Sequence, residues 1–150
     1  MESRMISHFQ TENYIHHIAL RVPNAEASRD WLMSLIGLRV DREFEHNGLS
    51  FIFMSFDNTK GIAIELIGGP TGSKPNALIS AMEAAHKPGW SHICFSVQNV
   101  DAVIQRMRDN DQNILIDLMD GPPGSNVKKA AFVTDPWGNI FEFAEISEPS

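Results

Sequence analysis

The feature that most constrains this chain is that its second half restates its first. Sliding the 150 residues by 75 positions places His17-Ile18 on His92-Ile93, Val22 on Val97 and Asn24 on Asn99. By the last segment of each half the offset is 77, and Glu65 in IAIELI falls on Glu142 in NIFEFA. A two-residue insertion in the second half accounts for the change. Self-similarity over such a length is a statement about architecture, because each copy is one supersecondary unit. Apolar positions agree easily by chance, but the aligned polar residues here are two histidines and two glutamates.

Local patterns define what is repeated. Tyr14 to Val22 is β-branched and apolar and ends at Pro23-Asn24, a strand followed by a helix-start signal. Ala25 to Ile36 spaces Ala27, Trp31, Leu32 and Leu35 at helical intervals, and Gly37 supplies the stop. Leu38 to Glu45, Leu49 to Phe56 and Gly61 to Ile67 then read as strands, separated by His46-Asn47-Gly48 and Asp57 to Lys60. The order βαβββ restarts after a linker. Trp90 to Val97 is a strand, Val100 to Arg108 an amphipathic helix, and Ile114 to Met119, Val127 to Thr134 and Asn139 to Ile146 are strands. Turns fall at Gly121-Pro122-Pro123-Gly124 and at Asp135 to Asn139. The expected organisation is a leader over 1–13, a first module over 14–67, a linker with a short helix (Ala77 to Ala85) over 68–88, a second module over 89–146 and a tail over 147–150. The fold class is α+β, two βαβββ modules in tandem.

Strand alternation sorts the side chains by face. His17 shares a face with Ala19 and Arg21, and His92 with Cys94 and Ser96. Glu65 lies with Ala63 and Ile67, and Glu142 with Ile140 and Ala144. The bulky residues Ile18, Leu20, Ile64, Leu66, Phe95, Phe141 and Phe143 take the other faces and would pack beneath the helices. The histidines and glutamates would then point into a concavity lined largely by small side chains. A carboxylate held mid-strand among apolar neighbours costs several kcal/mol unless it is paired or bound to a cation. Two imidazoles and two carboxylates around one divalent cation form a neutral shell. Nitrogen and oxygen donors suit zinc, nickel, cobalt, iron or manganese better than calcium. The plainer alternative makes Glu65 and Glu142 edge-strand surface residues and His17 and His92 structural histidines. The recurrence of all four at matching repeat positions favours the metal.

Other residues are weighed the same way. Arg21 could hold a substrate carboxylate, or be a strand-end charge in solvent. Cys94 and Ser96 line the expected pocket but lack a free histidine to activate them as nucleophiles. Trp90 shares the His92 face by alternation and is a candidate substrate contact with Cys94 and Ser96, although tryptophans and phenylalanines more often fill cores. His16 alternates away from His17, and with His8, His46 and His86 it reads as structural or solvent-exposed. Trp137 could cover the pocket or simply pack.

A net charge of −7 leaves no basic stripe for nucleic acid. The single cysteine excludes an intrachain disulfide, and no apolar run approaches a bilayer span. A cytoplasmic protein with a small-molecule substrate, and neither nucleic-acid nor membrane partners, is expected.

The segments HIALRV, IAIELI, SHICFSVQNVDAVI and AFVTDPWGNIFEF resemble the vicinal oxygen chelate superfamily over about residues 14–146. This group includes glyoxalase I, methylmalonyl-CoA epimerase, extradiol dioxygenases and the fosfomycin and bleomycin resistance proteins. The resemblance implies paired βαβββ modules forming a cup-shaped mixed sheet, usually in a homodimer. It also implies one divalent metal held by His17, Glu65, His92 and Glu142, from one chain or shared across an interface. Dioxygenases and fosfomycin-resistance enzymes typically use two histidines and one glutamate, so Glu65 tilts the reading toward isomerases and lyases. Bleomycin-binding members generally lack the metal set.

Arg21 falls on a position that binds substrate carboxylate in bacterial glyoxalases I, whereas Gly69 departs from their asparagine. The short linker helix and Lys87 to Ser91 are similar to the epimerases, which often carry glutamine where this chain has Glu65. The implied chemistry is proton abstraction next to a metal-bound carbonyl, with Glu142 as the preferred base and Glu65 as the second candidate. An iron-dependent ring-cleaving dioxygenase and a metal-free antibiotic-binding protein are the competing readings.

Overall fold

The computed structural model describes residues 15–56, 62–70, 80–86 and 88–147, with the side chains of 81, 82 and 84 excepted. The expected leader, the turn at 57–60, residues 71–79 of the linker, Lys87 and the tail from 148 lie outside the described residues. The chain divides into two units, one running to Pro70 and the other from Thr71. Among the described residues, no helix is long and apolar enough to cross a membrane.

In the first unit β1 (His17–Arg21) leads into α1 (Ala25–Trp31), whose last turn widens into a π-helical segment over Leu32–Ile36. The strands β2 (Arg39–His46), β3 (Leu49–Ser55) and β4 (Ala63–Gly68) follow. Asn24 caps α1, its side chain accepting from the Ala27 N–H at 2.8 Å; such a cap satisfies a helix-end donor. Gly37, at φ +90°, ends the helix in the left-handed region that only glycine enters freely. The Asn47-Gly48 turn takes positive φ at both residues, the geometry that matches strand twist in a two-residue hairpin.

The short helix α2 (Ala81–His86) carries a reciprocal cap: Ser80 N–H donates to Glu83 at 2.8 Å, and Glu83 N–H donates to Ser80 Oγ at 3.1 Å. The second unit then repeats the plan, with β5 (Ile93–Ser96), α3 (Val100–Asp109), β6 (Asn113–Asp120), β7 (Val127–Thr134) and β8 (Ile140–Ile146). Asn99 caps α3 as Asn24 caps α1, accepting from Ala102 N–H at 3.0 Å. The α+β class and the two four-stranded mixed sheets are as the resemblance implied.

Both sheets have one topology, β1-β4-β3-β2 and β5-β8-β7-β6. The first strand of each pairs in parallel with the last, and the other pairs are antiparallel. Parallel pairing of first and last strands needs a crossover, which the helix supplies while covering one face. That face is the core: Val22, Leu32, Ile52, Met54, Ile64 and Leu66 in the first unit, and Val100, Ile104, Met107, Val133, Phe141 and Phe143 in the second.

The pairing registers refine the repeat. Phe53 stands opposite Glu65, and Phe132 opposite Glu142, so β3 maps onto β7 at an offset of 79. The net change of two residues is therefore not one insertion. The two-residue turn after β2 becomes a loop over 121–126 after β6, and the connection before β8 is two residues shorter than that before β4.

Candidate metal centre

The strand histidines and glutamates come together as two pairs. In the first unit His17 Nε2 lies 3.1 Å from Glu65 Oε2, and in the second His92 Nε2 lies 2.9 Å from Glu142 Oε2. Register explains the match. Ala19 is the cross-strand partner of Glu65 and Cys94 that of Glu142, so each histidine stands two residues before the partner of its glutamate. Neighbouring strands are about 4.8 Å apart, and an imidazole and a carboxylate on one face bridge that gap. Among the described residues, no group of three or more His, Cys, Asp or Glu side chains gathers around one point. The expected set of four is present as one pair in each unit.

Each histidine is also held from behind. Ser91 Oγ lies 2.9 Å from His92 Nδ1, and His16 Nδ1 lies 2.9 Å from His17 Nδ1. With Nδ1 engaged, Nε2 faces the glutamate, the arrangement by which a second partner orients a ligand imidazole. Aromatic edges complete the setting. The rings of His17 and Phe53 meet at 5.2 Å and 78°, and those of His92 and Phe132 at 5.1 Å and 77°.

These pairs fit a divalent cation. Two donors each about 2.0–2.2 Å from a metal and at right angles to one another are about 2.8–3.1 Å apart. Both observed separations fall in that range, and the same spacing also suits a direct imidazole–carboxylate hydrogen bond. Glu65 is only 9% exposed, so its carboxylate requires a partner on either account.

The two carboxylates differ in their surroundings. Cys94 stands opposite Glu142 across the β5–β8 ladder, and its thiol is pushed up to about 12, first by partial loss of solvent around the sulfur and then by the Glu142 charge. The thiol is therefore neutral near pH 7 and no nucleophile. At the matching position beside Glu65 stands Ala19, which donates nothing from its side chain.

Several expectations change here. His92 and Trp90 precede β5 instead of lying in it, because the strand ladder begins at Ile93. Trp90 is 94% exposed, so the core reading of this residue is wrong, and strand alternation does not assign its face. His16 likewise precedes β1, which is why it can bend onto His17 instead of alternating away. Ser96 is exposed beside Ala144 of β8.

Arg21 is no free solvent charge. One guanidinium nitrogen donates to the carbonyls of Val22 (2.5 Å) and Ile67 (2.9 Å), the other to those of Gly69 (3.2 Å) and Pro70 (3.3 Å). It ties the end of β1 to the exit of β4.

The first unit's ligand face is not lined by small side chains, since Phe53 faces Glu65 and Phe51 faces Ile67 across the β3–β4 ladder. The small-residue expectation came from the first and last strands alone. It omitted what β2 and β3 deliver to the same face.

The turn before β8 is built around Asp135, which is 5% exposed. One carboxylate oxygen accepts from the N–H groups of Trp137 (3.0 Å) and Asn139 (2.8 Å), and the other from Asn139 Nδ2 (2.7 Å). Burial raises the Asp135 pKa, outweighing these hydrogen bonds, which lower it. A carboxyl with a raised folded-state pKa contributes stability that is fully present below its unfolded pKa and is lost as pH rises through the folded value. The stability gap between wild type and Asp135→Asn should therefore shift in the variant's favour from about pH 4 to about pH 7. Urea midpoints across that range check this, and a constant gap would contradict it.

Two mixed βαβββ sheets, each presenting a His/Glu pair at the same register, are the architecture the resemblance implied. Residues 14–143 match the Glyoxalase/Bleomycin resistance protein/Dioxygenase superfamily, and the chain belongs to it. It is 24% identical over 148 residues to a lactoylglutathione lyase of Schizosaccharomyces pombe, a match covering 89% of this chain and 48% of that protein. The chain thus spans about half that relative's length. It is 27% identical over 103 residues to an ethylmalonyl-CoA/methylmalonyl-CoA epimerase of Cereibacter sphaeroides, covering 67% of this chain and 73% of that protein. Its fold is similar to that of a trypanothione-dependent glyoxalase I of Leishmania major, with a TM-score of 0.67 and 20% identity over 89% of this chain and 86% of the other.

Proposed function

We propose that the protein is a divalent-metal-dependent isomerase or lyase that moves a proton at a carbon next to a carbonyl. The observation that carries this reading is the duplicated His/Glu pair, at 3.1 and 2.9 Å and at one register position in both sheets. His17, Glu65, His92 and Glu142, from one chain or from two, would hold one cation. Zinc, nickel, cobalt, manganese and iron all suit the donor set. When bound, such a cation supplies Lewis acidity toward two neighbouring substrate oxygens.

The chain's own residues do the rest. Glu142 takes the proton from the substrate carbon, the C–H electron pair becomes the enolate, and the same carboxylate returns the proton to the neighbouring carbon. Glu142 stands opposite the neutral Cys94 thiol across the β5–β8 ladder, and during the transfer the carboxylate exchanges its imidazole contact for the proton. Glu65, opposite the Ala19 methyl, stays a ligand. Two chemically identical groups divide their roles when their environments differ. Ser91 and His16 keep each imidazole turned toward the site. The relatives named as a lactoylglutathione lyase and an acyl-CoA epimerase support this class over ring-cleaving dioxygenases and metal-free binding proteins. A homodimer in the cytoplasm is the proposed setting.

The test is exchange of substrate C–H for deuterium by metal-loaded and metal-stripped protein, over hemithioacetals, 2-oxo thioesters and branched acyl-CoA compounds. Exchange of at least one compound by the loaded form only is expected. Oxygen uptake with a catechol, and no exchange with any compound, would overturn the proposal.

A further inference from the structure

The two sheets repeat the His/Glu pair but not the wall beside it. In the first unit Arg42 pairs with Phe53 and Phe44 with Phe51 across the β2–β3 ladder, while Phe53 and Phe51 face Glu65 and Ile67. Directly paired residues share a face, so Arg42, Phe44, Phe51 and Phe53 stand on the face that carries His17 and Glu65. In the second unit the residues opposite Phe132 and Ala130 are Ile116 and Met119, and neither is aromatic or cationic.

The first-unit wall is ordered by ring contacts. Phe44 and Phe51 stack with centroids 5.0 Å apart and planes at 2°, and Phe53 lies 6.2 Å from Phe44. The Arg42 guanidinium carbon sits 4.4 Å above the Phe53 ring. An apolar and aromatic surface thus runs from the ligand His17 through Phe53 to Phe44, with one cation on it. Phe44 is 46% exposed, on a strand whose other neighbours are mostly charged.

Stacking on a ring occupies the face of a guanidinium and leaves its N–H groups in the plane for an anion. Arg21 spends those groups on carbonyls, and Arg29 and Arg108 spend them on carboxylates. Among the described residues, no carboxylate lies within ion-pair distance of Arg42.

We infer that this wall is a recognition site for the part of the substrate that does not react, and that it takes a planar ring bearing a carboxylate or phosphate. The ring lies on Phe44 and the anion meets Arg42, two positions along one strand face and so about 7 Å away. This rests on reading the His17–Glu65 face as the substrate site. An aromatic acid and the nucleotide end of a carrier thioester share the chemistry.

Binding to the metal-free protein separates this claim from the proton-transfer reaction. Calorimetric titration would use 2-naphthoate and adenosine 3′,5′-bisphosphate as the two planar anions, with 2-naphthylmethanol (no charge) and cyclohexanecarboxylate (no planar ring) as controls. One planar anion is expected to bind at least about tenfold more tightly than either control, and which one it is distinguishes the aromatic acid from the nucleotide. Arg42→Gln should remove that advantage over 2-naphthylmethanol, Arg42→Lys should keep part of it, and Phe44→Leu should weaken the planar anion toward cyclohexanecarboxylate. Equal binding of probes and controls, or wild-type binding by Arg42→Gln, would overturn the inference. So would a Phe44→Ser protein that changes oligomeric state while binding the probe unchanged, since the face would then be a contact between copies. The outcome does not depend on deuterium exchange, so either claim can fail while the other stands.

Discussion

Replacing Glu142 with glutamine is expected to slow metal-dependent C–H exchange by roughly 10²–10⁴-fold, the usual contribution of a positioned general base. Glutamine keeps an oxygen that can face a cation but cannot accept the proton, so the comparison must be made at equal bound metal. The parallel change Glu65→Gln should cost far less per bound metal and show itself mainly as weaker metal affinity. The asymmetry follows from the neighbours, since Glu142 has the Cys94 thiol beside it and Glu65 has Ala19. Equal loss in both variants would make the carboxylates interchangeable and remove the assigned roles. Wild-type exchange by Glu142→Gln would remove the mechanism.

Truncating Phe143 to alanine should cost about 3–5 kcal/mol, as large-to-small changes at fully buried aromatics do. Domain stabilities are only about 5–15 kcal/mol, so this is a large share of the total. Phe143 is buried at the centre of β8, its ring 5.7 Å from that of Phe95, and Phe141 lies 5.8 Å from Phe95 on the same side. These rings anchor β8 from below and so turn Glu142, which lies between them in sequence, to the opposite face. Urea unfolding followed by circular dichroism measures the loss. Phe143→Leu, which keeps most of the volume, should lose less than about 1.5 kcal/mol. If alanine cost no more than leucine, the stack would not be what holds the strand.

How much of this was legible in advance differs from residue to residue. The equivalence of His17 with His92 and of Glu65 with Glu142 was readable because an internal repeat marks equivalent positions without any knowledge of tertiary contacts, whereas their division into two His/Glu pairs came from the strand registers. The caps at Asn24 and Asn99 were readable for the same reason. The aromatic wall was missed, although its signal was present. An Asn47-Gly48 turn of two residues pairs His46 with Leu49, and counting outward brings Phe44 to Phe51 and Arg42 to Phe53. The repeat does not point to these residues, because the second unit has a longer loop and different residues there. Where strand alternation was extended past the ladder, to Trp90 and His16, it assigned faces that had no physical basis.

The amino-acid sequence alone determined the duplicated βαβββ plan, the superfamily and the four candidate ligands. These depend on local periodicity, turn chemistry and the spacing of like residues, all of which are properties of short stretches of chain. Only the folded sheets decided the rest. Register brought a ring to the edge of each imidazole and set a thiol beside one glutamate and a methyl beside the other. Arg21 turned onto four carbonyls, and Arg42 stood on a ring. Those outcomes depend on which strands become neighbours and with what offset. Loop lengths and bulges set that offset, and periodicity along a single strand carries no information about it.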